Sequence, residues 1–278
     1  MLYAWCRRCD DLTDAQDMGG ELGDQSDIAG KVELICSLTA KALAGEETGD
    51  IAFDAFGQVA NEVGLTIDDA EAVIAGFQLD AEDWRPRTEA DLMRYCWHVA
   101  GAVGVMMALV MGVKREDADT LDRACDLGLA FQLANIARDV VEDDAAGRCY
   151  LPAIWLVEED IEPGQHTKPH YRQELADMAA RLVRRMQVHA TSSRIGAARL
   201  PFRCRWAILS AARIYTAIGR EVLAKGPAAW DHRVYTSKVQ KIGHALAAFA
   251  EALVNRPPQL DDEPRWRRSD LAENAASA

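Results

Sequence analysis

The sequence predicts an all-α protein folded as one domain. Apolar residues recur at three- and four-residue spacing along nearly the whole chain, the period of one helix face. No alternating apolar and polar run is flanked by hairpin turn residues, so nothing predicts a sheet. The main Gly and Pro clusters fall between the periodic segments.

The elements follow in chain order. The spacing predicts helices over residues 4–15, 28–43, 51–63 and 67–79, with breaks at Gly19-Gly20 and from Gly45 to Gly49. After Pro86 comes a helix over 92–111. Its apolar run, Val99 to Val113, is shorter than the ~20 residues a bilayer span needs, so it reads as a buried helix. Gly101 and Gly104 within it suit close helix packing. A helix over 118–141 stops before Gly147 to Pro152. The loop from Pro163 to Pro169 leads to helices over 175–195, 202–223 and 239–254, broken at Pro201 and Gly226-Pro227. No repeat of fixed period appears. The predicted domain spans 1–255; past Pro257-Pro258 the chain turns charged and small-residue-rich, which predicts a disordered tail over 256–278.

A formal charge of -13 argues against non-specific nucleic-acid binding, because a phosphate backbone needs surplus Lys and Arg, and no nucleic-acid partner is expected. A phosphorylated small molecule is compatible if metal ions or placed arginines supply local cations. Seven cysteines, an odd number spread along the chain, make no secreted disulfide framework and point to a reducing cytoplasm. Cys6 and Cys9 form a CxxC, but no second Cys/His pair lies near to complete a zinc site. The opening MLYAWCRRCDD carries charges where a signal peptide needs an apolar core.

Two acidic helix faces carry the chemistry. Tyr3, Arg7, Asp10 and Asp14 are spaced 4, 3 and 4 apart. At about 100° per residue they share an arc of roughly 60°. Two carboxylates one turn apart suit a hard cation, and Arg7 beside them suits an anionic ligand; Asp11 points elsewhere and has a supporting role. Gln132, Asn135, Asp139 and Asp143 are spaced 3, 4 and 4 apart, within about 80°. Gln132 and Asn135 sit amid Leu129, Phe131, Leu133 and Ile136, the pattern of a buried helix. An unpaired buried amide costs roughly 1–3 kcal/mol, so these amides need a polar partner. A ligand, metal-bound water, a diphosphate or an internal network between helices would serve. One such face alone also fits a solvated acidic surface; two in one helical chain predict opposing carboxylate clusters across a cavity. Mg²⁺ is held by one or two carboxylates plus substrate phosphates and would assist a diphosphate to leave as a Lewis acid. Aromatic faces would stabilise the carbocation left behind. His98 reads as a packed core side chain, and His166 and His170 as residues of the Pro-rich loop.

Taken together, these segments resemble the squalene/phytoene synthase family. Its first aspartate motif matches Asp10-Asp11-Leu12-Thr13-Asp14 and its second Asp139-Val140-Val141-Glu142-Asp143. Its longer signatures match YCWHVAGAVG from Tyr95 and the run from Leu127 to Pro152. LPFRCRWAILSAARIYTAIGREVLAKG, followed by WDHRVYTSKVQK, is similar to the bacterial phytoene-forming members, and the likeness runs to about Val254. The resemblance implies an isoprenoid-synthase-type helical bundle around a central cavity. It implies head-to-head condensation of two geranylgeranyl diphosphates to phytoene through a cyclopropyl diphosphate, with Mg²⁺ or Mn²⁺ and no NADPH. Asp10, Asp14, Asp139 and Asp143 would bind the metal. Tyr3, Arg7, Gln132, Asn135 and Arg138 would contact diphosphate, metal water or prenyl chain. Arg148 and Tyr150 would stand near the departing diphosphate, Tyr95 would line the cavity, and Tyr215 and Arg233 would hold a diphosphate. For Tyr95 and Tyr215 a core-aromatic role stays open, as does a surface charge for Arg233. A squalene, hydroxysqualene or dehydrosqualene synthase using farnesyl diphosphate remains an alternative, as does an inactive or scaffold protein. Peripheral membrane contact for an apolar product and downstream carotenoid enzymes are the implied partners. Family members also carry a further helix before the residue that is Met1 here. A helix starting at Met1 has no capping residue before it, so the expectation is an upstream extension of the reading frame and weak activity without it.

Overall fold

The computed structural model describes residues 1–13, 27–82, 84–259 and 265–275; these are helices and connecting turns, with no strand among them. Their contacts form two compact units, Met1–Trp84 with Met106–Lys114, and Arg85–Val105 with Arg115–Ala278.

The first unit holds α1 (Leu2–Thr13), α2 (Ile28–Leu43), α3 (Ile51–Val63) and α4 (Ile67–Ala81). Each start after α1 is written locally. Asp27 and Asp50 accept from backbone N–H groups of the first turns of α2 and α3, and Thr66 with Asp69 makes a capping box for α4. Trp5 anchors α1: it stacks on Phe56 at 4.4 Å, and its Nε1 donates to Thr39 at 3.2 Å. Leu2 and Trp5 are buried, so apolar packing holds the first turn of α1. Arg8 reaches the α3 cap residue Asp50 at 2.7 Å, and a Cβ on Gly57 would lie 2.3 Å from the Ala42 carbonyl oxygen, so α2 and α3 touch backbone to backbone.

The second unit is built on α7 (Ala118–Ala145), capped by Asp117. Residues 125–130 are buried without a break, the mark of a helix surrounded on all sides. The unit also holds α5 (Glu89–Cys96), a π-turn (Trp97–Gly101), α8 (Ala153–Glu158), α9 (Arg172–Ala197), α10 (Phe202–Lys225), α11 (Lys238–Val254) and α12 (Arg268–Ala275); α5, the π-turn, α9 and α10 pack on α7. The π-turn runs into α6 (Ala102–Val110), whose last residues count with the first unit. Glu89–Val110 is 22 residues long and apolar enough to cross a membrane by composition. Of its most apolar window 61% is buried inside the protein, which makes it a core helix. Gly104 and Gly128 allow this packing: a Cβ on Gly104 would meet the Ala124 carbonyl oxygen at 2.4 Å, and one on Gly128 the Ala100 carbonyl oxygen at 2.2 Å.

Three features depart from the sequence expectation. The π-turn has no counterpart in the periodicity; Tyr95, Cys96, Trp97 and His98 are all buried, more consecutive residues than one face of a regular helix supplies, and the wider turn re-aims them. The six residues of α8 are too few for periodicity to register. The segment predicted as a disordered tail carries α12, with Leu271 buried. Arg265 donates to the buried Asp126 at 2.6 Å, and Arg268 to Asp122 at 2.9 Å. Composition pointed to disorder, but Arg265 and Arg268 meet acidic partners on α7 more than a hundred residues away in sequence.

Candidate active site

On α7 the second acidic motif is framed by arginines. Asp139 is half-buried and accepts from Arg138 Nε at 2.7 Å; its second oxygen takes Arg138 Nη2. Arg233, from the segment after α10, reaches the same carboxylate with Nε at 3.1 Å and Nη2 at 3.0 Å. Hydrogen bonding to Asp139 raises the Arg138 guanidinium above its ordinary value, against the opposing effect of burial; Tyr215 and Glu142 also act on it electrostatically. Tyr215 stacks on Phe131 with ring centroids 3.9 Å apart, which ties α10 to α7 one residue before Gln132. Gln132 and Asn135 are partly buried on α7.

The motif's second aspartate lies where the helix ends. Asp143 shares the last turn with Glu142 and Asp144, and no basic residue stands there. Three carboxylates at the negative end of a long helix make a region that favours cations. Gly147, at φ 78°, closes α7, and the Arg148 N–H returns to the Asp143 carbonyl at 2.8 Å. The chain then turns so that buried Tyr150 stacks on Tyr95 at 4.8 Å, joining the exit from α7 to α5. Two backbone bonds steady this exit: Ala153 N–H to Pro86 O at 2.9 Å and Ile154 N–H to Arg87 O at 3.0 Å.

On α1, Arg7 bridges two carboxylates, Asp10 at 2.8 Å and the buried Asp11 at 2.8 Å. Tyr3 is exposed. Asp14 lies outside the described residues. The donors of both motifs are carboxylate oxygens, the chemistry that hard divalent cations take. Among the described residues no three His, Cys, Asp or Glu side chains converge to hold a metal alone.

Sequence reasoning passed over several neighbours of the site. Asp144 accepts from Thr167 Oγ1 at 2.5 Å, and the buried His166 lies 3.8 Å from it. Burial pushes the His166 imidazole down, with Asp144 opposing and Arg85 assisting. Arg85 donates to the Gly147 carbonyl at 3.2 Å. The acidic residue directly after the second motif, Asp144, was the available signal. His98 is buried in the π-turn, and His170 packs against Tyr171. Burial pushes the Cys6 thiol up to about 12 and raises Cys9 further, so neither is poised as a thiolate. A separate cavity of about 350 Å³ between α9 and α10 is lined by Arg194, Arg213, Thr216 and Arg220. Two of these arginines are committed to Glu251.

An all-α chain with two aspartate-rich helix segments, one bracketed by arginines, has the features of an isoprenoid synthase. The chain belongs to the squalene/phytoene synthase family, whose sequence profile matches residues 1–240. It is 43% identical over 272 residues to a phytoene synthase of Pseudescherichia vulneris, covering 96% of this chain and 87% of the relative. It is 44% identical over 273 residues to a 15-cis-phytoene synthase of Pantoea ananas, with the same coverage. Among solved structures it is similar to a dehydrosqualene synthase in complex with ligand: TM-score 0.78, 25% identity, 91% of this chain and 85% of that one.

Proposed function

We propose that this protein is a phytoene synthase that joins two geranylgeranyl diphosphates head to head. The observation that carries this reading is 43–44% identity along 96% of the chain to phytoene synthases, with all four motif aspartates in the sequence. One substrate loses diphosphate, and its allyl cation is attacked by a double bond of the second; loss of a proton closes a cyclopropyl diphosphate. The second diphosphate then leaves, the skeleton rearranges, and a second proton is lost to give phytoene. Each half-step releases diphosphate and a proton, so no reductant and no NADPH is consumed.

Asp10 with Asp14, and Asp139 with Asp143, hold Mg²⁺ or Mn²⁺ in this reading; the metal when bound supplies Lewis-acid neutralisation of the leaving diphosphate. Arg138, Arg148 and Arg233 bind diphosphate oxygens, and Tyr215 stands beside Arg138 to help hold that group. The guanidiniums on Asp139 neutralise its carboxylate until substrate and metal share the charge. Gln132 and Asn135 orient diphosphate or metal-bound water. Tyr3 and Arg7 do the same on α1. The stacked Tyr95 and Tyr150 present ring faces that stabilise a cation without attacking it and exclude water that would quench it. The protein acts in the cytoplasm, with peripheral membrane contact through which an apolar product passes to downstream carotenoid enzymes.

Purified protein is incubated with geranylgeranyl diphosphate or farnesyl diphosphate, with Mg²⁺ or with EDTA, and the hydrocarbons are separated by chromatography. Phytoene from the longer substrate in Mg²⁺ alone is expected. A product from farnesyl diphosphate only would favour the squalene-type reading that the dehydrosqualene synthase likeness keeps open. Undiminished product in EDTA would refute the metal assignment.

A further inference from the structure

The outer face of α11 is an apolar stripe left in solvent. Val239, Ile242, Leu246 and Leu253 are 79%, 61%, 65% and 62% exposed. With Phe249 they are spaced 3, 4, 3 and 4 apart, and so share an arc of about 80°. The opposite side is the packed one: Ala248 and Ala252 sit against Leu209 and Ala197. One border of the stripe is aromatic. Phe202 and Trp206 of α10 meet Phe249 edge-on at 5.5 and 5.3 Å, and Trp206 donates to the Ala245 carbonyl at 2.8 Å.

Charge on this helix is sorted as well. Its single acidic residue, Glu251, is turned inward, where Arg194 Nε and Arg213 Nε donate to it at 2.8 Å each. The exposed charges are Lys238 and Lys241, with Arg256 just beyond the helix end. A protein of net charge -13 thus presents an apolar, aromatic-edged stripe with a cationic rim. That pattern belongs to helices lying in a bilayer interface, where apolar side chains enter the acyl boundary and lysines meet anionic headgroups. Acidic residues elsewhere are screened beyond about 8 Å at physiological salt. A second copy of the chain fits this surface poorly. Antiparallel pairing of two stripes would set Lys238 and Lys241 against Arg256, and parallel pairing would set lysine on lysine.

We propose that the outer face of α11 docks this protein on an anionic lipid bilayer. This gives a surface to the peripheral placement in the function proposed above; vesicle binding needs no turnover, so its failure would leave the catalytic reading standing. The full chain is co-sedimented with phosphatidylcholine vesicles, with and without phosphatidylglycerol, at low and raised salt. Binding is expected only with phosphatidylglycerol, and it weakens as salt rises. K238Q/K241Q should weaken it about thirtyfold and I242S/L246S at least about tenfold. Circular dichroism checks the fold of each variant, while the salt response of the unaltered chain reads the contact without substitution. No binding to phosphatidylglycerol vesicles, or folded variants that bind like the unaltered chain, would overturn the proposal. So would a dimer in light scattering that I242S/L246S dissociates, which would assign the stripe to a second copy.

Discussion

Replacing Gly128 with alanine tests how the site is held. The new Cβ would lie 2.2 Å from the Ala100 carbonyl oxygen, 2.5 Å from its carbon and 2.8 Å from Gly101 Cα. Such contacts are essentially never below 3.0 Å, and backbone atoms cannot rotate aside, so α7 and the π-turn must separate by about 1 Å. Overpacking of this kind costs roughly 1–3 kcal/mol. Rigid neighbours put Gly128→Ala near the upper end, and the better helix propensity of alanine returns about 1 kcal/mol. A net loss of about 2 kcal/mol lowers the melting temperature by roughly 4–8 °C in a chain of this size. The same displacement moves Tyr95, two residues before the π-turn, relative to Gln132, one turn after Gly128. A misplacement of about 1 Å costs on the order of a hundredfold in turnover. Thermal melts and phytoene formation are measured beside Gly243→Ala, whose Cβ would meet nothing within 4 Å; that variant should be neutral or gain up to about 1 kcal/mol. A Gly128→Ala protein that melts and turns over like the unaltered chain would refute the backbone contact and its role in placing Tyr95.

Asp139→Asn should lower product formation at least about a hundredfold while the melting curve stays nearly in place, because its arginine partners remain partly solvated; retained Mg²⁺-dependent turnover would remove Asp139 from the metal site. Among the described residues, Arg265→Ala leaves the buried Asp126 with His189 at 2.7 Å and Ser192 at 2.5 Å. A loss of about 3 kcal/mol in denaturant unfolding is expected, and an unchanged midpoint would mean that the C-terminal segment is not docked. His166 has its imidazole pKa lowered by burial from 6.5, so below that pH the unfolded chain binds more protons and stability falls as pH falls. His166→Gln should flatten the acid side of the stability profile; an identical profile would show that His166 titrates normally.

Much of this fold is local and therefore legible in the sequence. The 3.6-residue period set α2 and α3 to the residue, and Asp27, Asp50, Thr66 and Asp117 mark helix starts because the cap bond spans two or three residues. Helical geometry likewise puts Gln132, Asn135, Asp139 and Asp143 on one face from their spacing alone. Tertiary structure decided what those faces meet. That Arg233 turns back to Asp139, that Tyr150 stacks on Tyr95, and that Arg265 neutralises Asp126 are contacts between residues 55 to 139 positions apart. No spacing rule reaches that far. The same limit hid the π-turn, which answers to burial around Tyr95, and the solvent-facing stripe of α11, whose period a buried face would share. Sequence period shows that a helix has an apolar side; only packing shows whether that side is covered.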